Sequence, residues 1–362
     1  MMIPVLRPKL PSADRIGPYL AGIDRSRWYS NFGPLVCEFE ERLASHFNIE
    51  DGTIATVANG TLGLVAALMA QGAPPGTLCV VPGWTFVASV NAVVLAGLTP
   101  YFVDVDASTW ALEPHDVEER IADAPGPVGA VMVVAPFGQP IDYAAWDDFT
   151  HRTGLPVVID AAAAFDTLRV CENPVVVSLH ATKILGTGEG GFVASRNKSV
   201  IENIRRRSNF GFDRYRNCMV AALNAKLSEY HAAVGLASLD AWNNTRAEWM
   251  SVASAYRRAS AKSNGVNLQL GFGETWVSST CIVSVEERVH TKALRALAAV
   301  EIETRLWWGN GAHRHPATAV FRGADLPVTE SLARSAIGVP LYRDLQVDQV
   351  QSIVTTIDAV AS

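Results

Sequence analysis

The sequence has few cysteines and few charged residues, and both scarcities exclude whole classes of protein. Its 362 residues include five cysteines, none of them in a C-x-x-C pair. An odd, scattered set of this kind predicts reduced thiols in the cytoplasm rather than a disulfide-stapled fold. Charged residues make up 18% of the chain and apolar residues 49%, a balance that excludes disorder and predicts a large buried core.

The chain also lacks an excess of positive charge. Its formal net charge is −6 at pH 7, so we expect no general attraction for nucleic acid or for an anionic membrane. The densest basic run, Arg205-Arg206-Arg207, is typical of a solvated helix end or a phosphate clamp. The N-terminal residues lack the apolar stretch of a secretory signal, so we expect a cytoplasmic protein.

One long stretch has no charged side chain at all. It runs for 52 residues from Gly52 to Val103, with Asp51 and Asp104 at its flanks. Prolines interrupt it, and acidic flanks are unusual for a membrane span, so a transmembrane hairpin is not expected. The stretch instead predicts helices and strands buried within an α/β layer structure.

Strand-like apolar runs alternate with helical patterns through the first two thirds of the chain. The runs lie at 54–58, 78–81, 100–104, 129–134, 156–159, 175–178 and 191–194. This alternation predicts an α/β fold with a mainly parallel, doubly wound sheet. A long helix at about 228–262 and a mixture of strands and helices follow, which predicts a smaller α+β C-terminal domain. The predicted division is an N-terminal arm with a short helix at 1–30, a large domain at 31–240 and a small domain at 241–362.

The most distinctive local motif is SLHATKILGTGEGGFVAS, at residues 178–195. Gly186, Gly188 and Gly191 have the spacing of a dinucleotide-binding loop, but that loop requires a helix after its glycines. Strand-like FVAS follows here, so a turn between two strands fits better. Lys183 lies just before this turn among apolar residues. A desolvated lysine has a lowered pKa and can act as a Schiff-base nucleophile.

Other features precede that lysine in an order that suits pyridoxal 5'-phosphate (PLP). Asp160 ends the apolar run at 155–159, where open α/β sheets bind ligands, although an aspartate there equally often caps a helix. The segment 59–61, Asn-Gly-Thr, opens a helix whose free amides suit a phosphate. PLP needs such donors, an aromatic face, a carboxylate for its ring nitrogen and an amine for its aldehyde.

These motifs carry a resemblance that extends from Ile3 to the C-terminus. The ordered set comprises YSNFGPLVCEFE, VANGTLGL, WTFVASVNAV, YFVDVD, IDAAAAFD, SLHATKILGTGEGG, NAKLSEYHAAVGL and VTESLARSAIGVPLYRDL. The sequence resembles the DegT/StrS family of nucleotide-sugar aminotransferases, which are PLP enzymes of fold type I. The resemblance implies transfer of an amino group from glutamate to a nucleotide-linked 4-keto-6-deoxyhexose. The segment SLHATK resembles the members that use dTDP-linked sugars, with GDP- and UDP-linked sugars as alternatives.

The resemblance also implies roles for individual residues. Lys183 would carry the cofactor, and Asp160 would hold the protonated pyridine nitrogen. The other implied cofactor contacts are Phe86 on the ring face and Gly60, Thr61, Ser178 and Asn224 at the phosphate. The implied sugar contacts are Tyr29 and His313. Asn224 would reach the site of a neighbouring copy, so a homodimer with shared active sites is expected.

One position departs from the family. Ala163 stands where the family usually has a glutamine that approaches the cofactor ring. His180 is a candidate to compensate, or is simply a strand-end residue satisfied by its surroundings. Arg305, Trp307 and Trp308 are candidates to wall the sugar pocket, or core residues.

Two alternatives to an aminotransferase stay open. A PLP-dependent sugar dehydratase of the same family would have histidine in place of Lys183. A non-catalytic regulator with this fold is disfavoured by Lys183, Asp160 and Asn224, while Ala163 keeps it possible. No metal is expected, because two histidines such as His313 and its neighbour at 315 need a further ligand.

Overall fold

The structure is a computed structural model and describes residues 2–361. Its helices are α1 (Ala13–Ser26), α2 (Pro34–His46), α3 (Gly60–Gln71), α4 (Val87–Leu95), α5 (Pro114–Ala122), α6 (Tyr143–Thr153), α7 (Lys198–Ser208), α8 (Glu229–Asp240), α9 (Trp242–Ser260), α10 (Glu287–Ala299), α11 (Pro327–Ser335) and α12 (Val347–Ala361). Its strands are β1 (Ile54–Val57), β2 (Leu78–Pro82), β3 (Thr99–Val103), β4 (Val128–Val134), β5 (Val157–Asp160), β6 (Val175–Ser178), β7 (Gly191–Ala194), β8 (Asn267–Leu268), β9 (Cys281–Ser284) and β10 (Ala336–Val339). Within the described residues, no helix has both the length and the apolar character needed to cross a membrane.

Seven strands form the main sheet, in the order β1-β7-β6-β5-β4-β2-β3. The strands from β6 to β3 in that order pair in parallel, whereas β7 is antiparallel to both β1 and β6. The sequence prediction of a mainly parallel α/β sheet is therefore confirmed. The parallel strands place their carboxyl ends on one edge of the sheet, where ligand sites of such folds are built.

Both faces of this sheet are covered. Along β4, Val131 and Val133 belong to one apolar core, and Ala130 and Met132 belong to a second core on the opposite face. Successive side chains of a strand point to opposite faces, so this alternation requires helices on both sides. The strands between Gly52 and Val103 have no face in contact with solvent, which explains why they carry no charged side chain.

The C-terminal part contains a second, antiparallel sheet with the order β10-β9-β8. The N-terminal arm runs beside this part, since the Ile3 amide donates to the Glu301 carbonyl at 2.9 Å. The Leu341 amide in turn donates to the Val5 carbonyl at 3.1 Å. The small antiparallel sheet agrees with an α+β C-terminal part, while the domain boundaries at 30 and 240 stay a prediction.

One predicted element is wrong in detail. The pattern at 228–262 predicts a single helix, but α8 and α9 are separate and meet at Ala241, which has φ −95° and ψ 1°. Trp242 then starts α9 and packs edge-on against Phe165, with ring centroids 4.7 Å apart.

Candidate active site

Lys183 lies in the loop 179–190 that connects β6 to β7, within a turn at 181–186 that we call the lysine turn. Its amide donates to the His180 carbonyl at 2.8 Å, and the Ala181 amide donates to the Gly188 carbonyl at 2.8 Å. Gly188 and Gly190 have φ values of 95° and 158°, which favour glycine. β7 follows these glycines directly, so they close a turn between strands and do not open a helix.

Asp160 is the last residue of β5 and is 6% exposed. Its Oδ2 accepts a hydrogen bond from the Ser89 hydroxyl at 2.7 Å, and its Oδ1 accepts one from the Ala162 amide at 3.1 Å. The Ser89 and Thr85 hydroxyl oxygens are 2.8 Å apart. These hydrogen bonds fix the Asp160 side chain at the carboxyl end of the sheet.

Ser89 is a residue of this site that was not predicted from the sequence. It stands in the first turn of α4, a helix whose other residues are small or apolar apart from Asn91. A lone buried hydroxyl in such a helix is a signal that it has a polar partner elsewhere. The sequence cannot tell which partner that is, because Asp160 lies 71 residues away.

Asp160, which is buried, and Lys183, which is half-buried, influence each other's pKa. Burial raises the pKa of Asp160, and the Ser89 hydroxyl, the Ala162 amide and the charge of Lys183 oppose that rise. Burial lowers the pKa of Lys183, and the charge of Asp160 opposes that fall. Buried groups with perturbed pKa values at the carboxyl end of a parallel sheet are typical of a functional site.

Gly60, Thr61 and Ser178 meet at the N-terminus of α3. Asn59 caps the helix by accepting the Leu62 amide at 2.9 Å, while the preceding amides of Gly60 and Thr61 have no acceptor within the helix. A Cβ at Gly60 would lie 3.1 Å from the Cβ of Ser178, so the helix end and β6 approach closely. The Ser178 hydroxyl accepts from the His180 amide at 3.3 Å, which leaves its hydrogen to donate. These donors suit an anion.

Phe86 is the N-cap residue of α4 and lies between Thr85 and the turn that contains Ser89. Its side chain is 53% exposed, so one face of the ring is open to a ligand. The same short segment therefore provides an exposed aromatic ring and the hydroxyl groups that reach Asp160.

His313 lies beside the end of β2, since the preceding Ala312 amide donates to the Gly83 carbonyl at 2.8 Å. Neither ring nitrogen of His313 has a hydrogen-bond partner in the described chain, although both are buried. Burial lowers the pKa of His313, as does, to a lesser extent, the neighbouring Arg314. Buried ring nitrogens of this kind are available to a polar ligand.

An aromatic cluster lies near His313 and joins the two parts of the chain. Trp308 stacks on Phe137 with ring centroids 3.8 Å apart, and Trp84 packs edge-on against Trp308 at 5.2 Å. Phe137 follows β4, so it comes to the same sheet edge as Asp160. Arg305 and Trp307 lie elsewhere: they stack on each other at 5.0 Å beside Gly338 of the small sheet.

The structure places the remaining predicted residues as follows. Tyr29 is 48% exposed and stacks on Tyr230, with ring centroids 6.3 Å apart. Asn224 accepts a hydrogen bond from Lys226 at 2.6 Å in an exposed segment. His180 contacts the Thr182 hydroxyl at 2.8 Å, and its other ring nitrogen lies 3.7 Å from Glu189. These contacts give His180 local partners.

A cavity of about 240 Å³ adjoins the lysine turn. Its walls are formed by the N-terminal arm at 6–12, the turn at 181–186, residues of α8 and α9, and Leu341 and Arg343. The arm therefore covers the side of the turn that faces α9. Among residues 2–361, no group of three or more histidine, cysteine, aspartate or glutamate side chains is placed to hold a metal ion.

Comparisons with known proteins show the family of the chain. The model of the DegT/DnrJ/EryC1/StrS aminotransferase family matches residues 13–358. The dTDP-4-amino-4,6-dideoxy-D-glucose transaminase of Shigella dysenteriae is 33% identical over 277 residues, covering 75% of this chain and 73% of that protein. The GDP-perosamine synthase of Escherichia coli O157:H7 is 28% identical over 366 residues, covering 98% of both chains.

A solved structure shares the whole architecture. The crystal structure of DesI in the presence of its TDP-sugar product has a TM-score of 0.87 to this chain and 29% sequence identity. The match covers 99% of this chain and 93% of DesI.

Proposed function

The chain belongs to the DegT/DnrJ/EryC1/StrS aminotransferase family, and from that premise we propose that it aminates a nucleotide-linked 4-keto-6-deoxyhexose with glutamate as the amino donor and PLP as the cofactor. The observation that carries this proposal is that Lys183, half-buried, and Asp160, buried, influence each other's charge at the carboxyl end of the sheet. A dehydratase of the family would lack the lysine.

The residues at this site fit PLP. Gly60, Thr61 and Ser178 offer two amides and a hydroxyl for the phosphate, in a space that a Cβ at Gly60 would crowd. The exposed ring of Phe86 supplies a face for the pyridine, and Asp160 supplies a carboxylate for its nitrogen. When bound, PLP supplies an electron sink that makes the α-carbon of the amino donor acidic.

The chain's own residues then have defined tasks. Burial lowers the pKa of Lys183, which increases the fraction of neutral amine able to take a proton from the donor's α-carbon. In the return half of the reaction, the same Nζ delivers a proton to the sugar carbon that was the ketone. Asp160, held in place by hydrogen bonds from Ser89 and Ala162, would keep the pyridine nitrogen of PLP protonated.

His313 and Tyr29 are the proposed sugar contacts. Support for His313 comes from its two buried ring nitrogens, which make no hydrogen bond in the described chain, although a Glu330 carboxylate oxygen lies 3.9 Å from Nε2. Support for a dTDP-linked substrate comes from the segment SLHATK and from the names of the Shigella enzyme and of DesI. The GDP-perosamine synthase is the counterexample that a test must address.

A homodimer with shared active sites is part of the proposal. Exposed apolar side chains cluster around Tyr29 and the segment 209–220: Trp28, Tyr29, Phe210, Tyr215, Met219 and Tyr230 are each between 45% and 69% exposed. A second copy of the chain would remove this surface from water. Asn224 follows the same segment, so a dimer through this face is suited to carry Asn224 towards the neighbouring phosphate site.

The cofactor assignment is tested by loading the purified protein with PLP and reducing it with borohydride. We expect one labelled peptide, the one that contains Lys183. Lys183→Ala should lose the label, and Lys292→Ala, at an exposed position of α10, should keep it. Labelling of a different peptide in the wild type would overturn the assignment.

The reaction is tested with a panel of dTDP-, GDP- and UDP-linked keto sugars, each incubated with glutamate and the loaded protein. We expect a product whose mass shows that an amino group has replaced the keto oxygen. Specific PLP labelling without a product from any sugar would instead favour the non-catalytic regulator.

A further inference from the structure

Thr85 and Ser89 form a chain of hydroxyl groups that ends on Asp160. The Ser89 Oγ lies 2.7 Å from Asp160 Oδ2 and 2.8 Å from the Thr85 Oγ1. Ser89 has no exposed surface and Thr85 is 1% exposed, so water does not replace these contacts. Neither residue is among the predicted site residues, and within the described chain neither makes a hydrogen bond to the lysine turn.

Two proton orders are possible in such a chain, and the geometry favours one of them. In the first order, Thr85 donates to Ser89 and Ser89 donates to Asp160 Oδ2, while the Ala162 amide donates to Oδ1. Both carboxyl oxygens then act as acceptors, which suits the ionised form. In the second order, a protonated Asp160 donates to Ser89, Ser89 donates to Thr85, and Thr85 must find another acceptor. The acceptor within reach is the Phe86 carbonyl, at 3.4 Å and already bonded to the Ser89 amide at 3.2 Å. The second order therefore ends in a poor hydrogen bond.

We infer that Ser89 is a positioning residue, with Thr85 behind it, that keeps Asp160 ionised and fixed so that its carboxylate can hold a protonated ring nitrogen. This inference rests on the proposed function for its purpose, but its physical content concerns the protein alone. Ser89 also stands in the first turn of α4, whose amide end favours a negative charge nearby.

The opposing influences on Asp160 explain why such a chain is needed. Burial raises the pKa of this carboxyl, which by itself would leave it protonated and unable to pair with a cation. Ser89 is the strongest of the groups that lower it, ahead of the Ala162 amide and of Lys183, the charged group that acts on it. A hydrogen bond to an ionised acceptor is stronger than one to a neutral acceptor.

The experiment compares four variants of the full chain: Ser89→Ala, Ser89→Thr, Thr85→Val and, as a matched control, Ser195→Ala. Ser195 is fully buried and donates to the Glu172 carbonyl, far in sequence from Asp160 and its partners. The first readout uses protein without PLP: infrared difference spectra against Asp160→Asn follow protonation of the Asp160 carboxyl with pH. The second readout is the dissociation constant of PLP.

We expect the Asp160 carboxyl to titrate at a higher pH in Ser89→Ala than in the wild type. PLP should bind to this variant about tenfold more weakly, because one charge-assisted hydrogen bond is lost. Ser89→Thr should restore both values, Thr85→Val should move both in the same direction by less, and Ser195→Ala should change neither.

An unchanged Asp160 titration in folded Ser89→Ala and Thr85→Val would overturn the inference. If Ser89→Ala does not fold, Thr85→Val alone decides the outcome. Failure of the wild type to bind PLP would count against the proposed function, while the infrared titration would still test the hydroxyl chain.

Discussion

Replacing Glu229 with glutamine should destabilise the protein, because this side chain caps a helix other than its own. Glu229 opens α8, yet its Oε2 accepts the Leu35 amide at 2.8 Å and its Oε1 accepts the Val36 amide at 2.9 Å. Both amides belong to the first turn of α2, whose N-cap residue, Gly33, has no side chain to serve them. Glu229 is 1% exposed, so water cannot take over its role.

The size of the effect follows from these two bonds. Glutamine presents one carbonyl oxygen and one NH₂ group, so one of the two amides of α2 would face another donor. Loss of one hydrogen bond to a charged acceptor costs about 2 kcal/mol. Removal of a negative charge from the amide end of a helix adds about 0.5 kcal/mol. We therefore expect the free energy of unfolding to fall by about 2.5 kcal/mol.

Urea unfolding of the protein without PLP measures this value, with Glu41→Gln on the exposed face of α2 as the matched control. The control should change the free energy of unfolding by less than about 0.5 kcal/mol. A change as small in Glu229→Gln would refute the capping argument.

Four further predictions concern the proposed active site. Asp160→Ala should retain some PLP but lose nearly all turnover, and near-wild-type kcat would show that this carboxylate only holds the turn that follows β5. Asn224→Ala should lose PLP faster on dialysis at an unchanged unfolding midpoint, whereas a fully active monomer would contradict the shared site. The pKa of Asp160 in the folded state is raised above 3.8, so its carboxyl destabilises the folded state increasingly as the pH rises above 3.8. The free energy of unfolding of Asp160→Asn, relative to that of the wild type, should therefore be higher at pH 7 than at pH 4. Equal relative values at the two pH values would refute this sign. In competition assays a dTDP-linked 4-keto-6-deoxyhexose should give the highest kcat/KM, and a higher value for a GDP- or UDP-linked sugar would show that the choice of nucleotide is wrong.

The main sheet could be predicted from the sequence because its strands are buried on both faces. Continuous apolar runs mark all seven strands, from β1 to β7, and their spacing leaves room for the helices between them. The C-terminal part was harder to predict. There α11 passes directly into β10 at Ala336, without a glycine, a proline or a charged turn to separate the two elements.

The candidate site divides in the same way. Lys183, Asp160 and the Asn59 cap stand next to strand ends, so local patterns indicate them. Ser89 and Trp84 depend on partners that are distant in sequence, and no local pattern identifies those partners. Trp84, for example, meets Trp308 across more than two hundred residues of chain.

The pairing of the N-terminal arm with the C-terminal part has a consequence for folding during synthesis. Ile3 and Val5 leave the ribosome long before their partners Glu301 and Leu341, which are about three hundred residues later in the chain. At bacterial to eukaryotic elongation rates, the arm waits roughly 15 to 60 s for them. The cavity wall at 6–12 therefore meets its partners long after it is translated, and the lysine turn stays uncovered on that side until the residues around Leu341 have been made. A fusion partner that folds early beside the arm should slow this final step more than the same partner attached after α12.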